Sequence, residues 1–140
     1  MKTDYLDFIK TLTQSKDKDP AKTEAQSRVL IKKFFSSPIS QGFGLLNPTY
    51  QSRVDKKAWV EEAEEFDKEF DVKYKIRKVV VKSGCLVVVK GLLKLTSGEN
   101  SRITERSIQL MRESGPYKPD PEAGLSISGL TIPPFLVPSK

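Results

Sequence analysis

The sequence predicts an α+β fold in which N-terminal helices pack on a strongly bent antiparallel β-sheet, and three observations carry that prediction. Apolar residues recur at three- and four-residue steps in the first half, whereas from Val72 onward they alternate or run together in Val-, Ile- and Leu-rich segments. Those later segments are joined by Ser-Gly at 83–84 and Ser-Gly-Glu-Asn at 97–100, connections short enough for antiparallel hairpins. Gly91 and Gly129 fall inside strand-like segments, where a missing side chain marks a bend or a bulge.

In chain order, Thr3 or Asp4 is placed to cap a short helix whose Tyr5, Phe8, Ile9 and Leu12 share one face. It stops in the polar run 14–19, so 1–19 reads as a short helix and a flexible link. Asp19 then stands as an N-cap before Pro20 at the first helical position, where the missing N–H costs nothing. The helix it opens extends to about Ser36, with Ala21, Ala25, Arg28/Val29, Lys32 and Phe35 on one edge of its apolar stripe and Leu30, Ile31 and Phe34 on the other. Pro38 ends it, a helical turn follows over 43–46, and Pro48 breaks the chain again. Asp55 caps a charged helix in which Trp59, Ala63, Phe66 and Phe70 form an aromatic stripe, while its glutamates read as a solvated face.

Strands are expected over 72–82, 85–96, 101–113 and 124–132. In the second, Cys85, Val87, Val89, Leu93 and Leu95 share a face with Gly91, and Leu86, Val88, Lys90, Leu92 and Lys94 share the other. Residues 20–132 thus make one α+β domain, and 133–140 form a Pro-rich tail whose prolines forbid a regular central strand.

Composition narrows the chemistry. The 140 residues hold one cysteine, Cys85, and no histidine. An intrachain disulfide, a cysteine-rich zinc site and the Ser-His or Cys-His nucleophile systems are therefore excluded. No catalytic residue, metal ligand or cofactor is read from the chain. The net charge of +6 is unevenly placed: residues 37–71 carry −4 and residues 72–112 carry +8. No segment has the run of about 20 apolar residues that a membrane span needs. A native Met1 would imply a cytoplasmic protein, and an export segment already removed would leave the same sequence.

Several local patterns point to a family. Residues 25–62 hold a long helix ending in aromatics, a short helix, the link Leu45-Leu46-Asn47-Pro48-Thr49-Tyr50 and a capped helix with Trp59 near its start. Residues 108–119, "IQLMRESGPYKP", follow a strand–turn pattern of the form L-x-R-E-x-G-x-W-K, with Tyr117 in the tryptophan place. These resemble bacterial members of the nuclear transport factor 2-like superfamily, the cone-shaped cystatin-like fold, over about residues 20–132. Pro116, Pro119 and the eleven-residue loop at 114–124 depart from the usual pattern.

The resemblance implies helices lying across the concave face of a bent sheet, with a cavity between them. Its lining candidates are Tyr50, Trp59, Tyr74, Val87, Val89, Leu93 and Tyr117, which would suit a small apolar ligand. The superfamily includes enzymes as well as noncatalytic binding and assembly domains, so fold alone decides nothing about function. A noncatalytic domain is favoured. Leu86, Val88 and Leu92 stand opposite the expected core, mixed with Lys90 and Lys94, and suggest a protein partner or homodimer on the outer sheet face. Phe135 and Leu136 of the tail could cover part of that face or dock on a partner. The enzyme alternative is a small-molecule isomerase or dehydratase built on a carboxylate–tyrosine pair, with Glu105 and Asp71 the carboxylates on or beside strands. The third class is weak, nonspecific nucleic-acid binding by Lys73, Lys75, Arg77, Lys90, Lys94, Arg102, Arg106 and Arg112 on a shared face. It is disfavoured because stacking aromatics are missing there, and any such affinity should fall steeply between ~50 and ~200 mM salt.

Overall fold

The computed structural model describes residues 2–131, and the tail bearing Phe135 and Leu136 lies outside them. The fold is α+β: among the described residues there are four helices and an open, five-stranded antiparallel sheet. Helix α1 (Lys2–Gln14) already contains Thr3 and Asp4, so neither caps it from outside. Helix α2 (Pro20–Phe35) begins as the sequence predicts, with the Asp19 carboxylate accepting from the Lys22 N–H. Its buried face keeps the Ile31–Phe34 edge of the predicted stripe but not the edge through the alanines. Thr23, Ser27, Ile31 and Phe34 are buried, whereas Ala21, Ala25 and Lys32 are exposed and Val29 is 67% exposed. Ile31 and Phe34 set the face, and steps of four toward the N-terminus from Ile31 land on Ser27 and Thr23 rather than on the alanines.

Two 3-10 turns, Ile39–Gln41 and Phe43–Leu45, lead to helix α3 (Pro48–Arg53). Pro48 opens this helix at its first position, a place where proline is preorganised, and does not merely break the chain. Helix α4 (Lys56–Glu69) is capped by Asp55 through the Ala58 N–H and buries Trp59, Ala63 and Phe66.

Strands β1 (Asp71–Val81), β2 (Leu86–Ser97) and β3 (Asn100–Gly115) form a meander, with β4 (Lys118–Pro119) and β5 (Leu125–Ile127) both paired to β3. The last predicted strand shortens to three residues, because the chain turns into a 3-10 segment at Gly129–Thr131. Helix α2 packs against β1 and β5. The core joins Phe34, Trp59, Val87, Val89, Ile108, Leu110 and Ile127.

The two strand-region glycines act as seats for tyrosine rings. A Cβ on Gly91 would stand 2.7 Å from Tyr74 Cζ and would collide with the Lys75 carbonyl oxygen. A Cβ on Gly129 would enter the Tyr50 ring. The register irregularity in β1 lies instead between Ile76 and Lys78, leaving Arg77 as the extra residue.

Candidate functional site

Strand pairing fixes which side chains share the sheet face away from α2. Lys73 pairs with Lys94, Lys75 with Leu92, Lys78 with Lys90 and Val80 with Val88; on the other flank Ile103, Glu105, Ser107 and Gln109 complete the rows. Five lysines therefore stand on this face with two acids, Asp71 at its end and Glu105. All five are exposed, and among the described residues none is in an ion pair. Leu86, Val88 and Leu92 are half-buried between them, and Ile103 is 62% exposed. The bulge puts Lys78, not Arg77, into this array.

The third strand does not supply the bases expected of it. Arg106 pairs with Gly91 and Arg102 with Leu95, which places both on the opposite face. Arg112 also turns inward: its guanidinium donates to the Ala123 carbonyl (2.8 Å), Thr23 Oγ1 (3.0 Å) and Gln26 Oε1 (3.0 Å), tying α2 to β3. Residues paired across a sheet share a face, so a bulge in β1 and an odd offset in β3 redistribute charges that look uniform along the chain.

Among the cavity candidates, Trp59, Val87 and Val89 are at most 1% exposed within the solid core, and Leu93 and Tyr50 are also buried. Tyr117 is 51% exposed. Tyr74 alone of the seven lines the groove of about 460 Å3 between α2 and β1, whose other walls are Arg28, Ile31, Lys32, Phe35, Ser36, Lys73 and Ile76. Its ring stacks on Phe35 with centroids 5.2 Å apart, and its hydroxyl donates to the Arg106 carbonyl at 2.6 Å. Burial pushes the Tyr74 hydroxyl up to about 12. It is therefore a proton donor held in place at neutral pH, not a base.

The neutral hydroxyl is favoured by folding, so its contribution is complete below pH 10 and is lost as pH rises toward 12. Denaturant unfolding measured through this window should show a steeper loss of stability in the wild type than in Tyr74→Phe.

Sequence reasoning missed Glu113. Its side chain is buried and accepts from Asn47 Nδ2 (2.9 Å), Thr49 N (3.1 Å) and Thr49 Oγ1 (2.6 Å). Thr49 Oγ1 in turn accepts from the Tyr117 N–H at 2.8 Å, and Arg53 Nη1 donates to the Tyr117 hydroxyl at 3.0 Å. Tyr117 sits at φ 59°, a left-handed conformation that this network holds in place. The alternating pattern offered one signal: a glutamate two residues after Met111 repeats the face of a buried side chain. Cys85 is also buried, and burial pushes its thiol up and away from the reactive thiolate. No group of three or more Cys, Asp or Glu side chains among the described residues is placed to hold a metal ion.

In comparisons with protein-family models, curated proteins and solved structures, nothing matches this chain. No helix among the described residues is long and apolar enough to cross a membrane.

Proposed function

We propose that this chain is a noncatalytic binding domain of the nuclear transport factor 2-like, cone-shaped type, and that its outer sheet face docks an acidic protein partner. The observation that carries the reading is the lysine array on that face. Lys73 opposite Lys94 and Lys78 opposite Lys90 are like charges in directly paired positions, an arrangement that weakens a sheet. A partner bearing carboxylates would relieve both repulsions.

The apolar side chains between the lysines distinguish a protein partner from a nucleic acid. Val80, Val88, Leu92 and Ile103 offer methyl groups to other apolar groups, while single-stranded nucleic acid needs aromatic faces to stack on. A two-fold pairing of this face with a second copy would set lysines against lysines, so an acidic partner answers its charge better than a homodimer does. The noncatalytic part of the reading draws on Glu113, whose two oxygens are both occupied by donors from α3 and the residue before it. That carboxylate ties two elements together, and neither of its oxygens is left directed at a ligand.

Titration of isotope-labelled protein with a short synthetic peptide of glutamates and leucines should move the amide resonances of Lys78, Val80, Val88, Lys90 and Leu92. The effect should fade with added salt. Resonances that stay fixed, or that move only along α4, would contradict the proposal.

A further inference from the structure

We infer that the free edge of β1 over Asp71–Ile76 takes an extended acidic segment of a partner protein as an added strand. This rests on the acidic-partner reading above and specifies its mode. Strand β1 is the outermost member of the sheet, and among the described residues no other strand or loop hydrogen-bonds to the backbone on its far side. An extended edge with unpaired N–H and C=O groups is a template for another strand. The bulge after Ile76 ends the regular edge and limits the template to the six residues before it.

Side-chain alternation then defines the occupant. Along this edge Asp71, Lys73 and Lys75 stand on the outer face, with Lys73 also at the rim of the groove beside α2, whereas Tyr74 and Ile76 line that groove. A strand laid against β1 alternates in the same way. Its outward side chains would meet Lys73 and Lys75 and are therefore acidic. Its inward side chains would enter the groove beside Ile31 and Phe35 of α2 and are therefore apolar. The groove's charged walls are all bases and include no acid, so carboxylates at its rim are also matched. A second copy's β1 is the wrong occupant, because its lysines would face these. The lysines that keep two copies apart thus select an acidic strand.

The test uses the full chain and a fluorescein-labelled octapeptide of alternating valine and glutamate, read by anisotropy. Saturable binding is expected, with at least about tenfold weakening in Lys73→Glu/Lys75→Glu. Full N-methylation of the peptide backbone should abolish binding, because the peptide would lose the N–H donors that pair with the edge carbonyls. Thermal unfolding of the variant confirms that it remains folded. If the N-methylated peptide binds as well as the parent while the double variant loses binding, strand addition is overturned and the acidic-partner reading survives. If the peptide fails to bind, this inference falls; if the glutamate–leucine peptide also leaves the outer face unmoved, the acidic-partner reading falls with it. Concentration-dependent pairing of the chain through β1 would overturn the inference in favour of a second copy.

Discussion

Trp59→Ala is expected to lower the unfolding free energy by about 3–5 kcal/mol, the cost of removing a large aromatic from a packed core. Trp59 is fully buried, with its ring centroid 5.2 Å from that of Phe43 in an edge-on arrangement. Through it α4 and the turn at Phe43–Leu45 share the core that supports β2 and β3. The alanine leaves a cavity that Phe43, itself buried, can fill only in part. Urea unfolding followed by circular dichroism measures the loss. A decrease below about 1 kcal/mol, the range of ordinary surface substitutions, would show that the hinge region is not packed as described.

Glu113→Ala should cost about 2–4 kcal/mol, because it strands several buried donors at once. Asn47 Nδ2, the Thr49 N–H and the Thr49 hydroxyl all lose their acceptor. Glu113→Gln should recover part of that loss, since the amide oxygen still accepts on one side while its NH2 faces a donor on the other. The turn at Tyr117 should loosen in both variants, because Thr49 Oγ1 holds its backbone N–H. Hydrogen exchange at Tyr117 reports this separately from global stability. Equal stability of wild type and Glu113→Ala would mean that the carboxylate is not a structural tie and would reopen a catalytic role.

The sequence made local decisions legible and long-range ones illegible. Asp19 with Pro20, Asp55 and the two short hairpin connections act on neighbours within a few residues, and the structure keeps each of them. The two faces of β2 were also readable, since strand alternation needs only the strand itself. The buried face of α2 was not, because Thr23 and Ser27 are polar residues whose burial depends on their packing and hydrogen bonds: Ser27 donates to the Thr23 carbonyl and Thr23 receives Arg112 from β3. Likewise, Gly91 and Gly129 were visible as unusual positions, but their tyrosine partners lie in other elements. The candidate site was half legible. Leu86, Val88, Lys90, Leu92 and Lys94 could be grouped from β2 alone, whereas the inclusion of Lys78 and the exclusion of Arg102, Arg106 and Arg112 required the register.

We propose that the lysines of the outer sheet face are kept for an acidic partner at a cost to the free protein. Lys90→Glu tests it in one molecule, because it turns the directly opposed Lys78–Lys90 pair from repulsive to attractive. The free variant is expected to gain about 0.5–1 kcal/mol of stability, and its affinity for the glutamate–leucine peptide is expected to fall at least about tenfold. A variant that is no more stable than wild type and still binds the peptide equally well would contradict it.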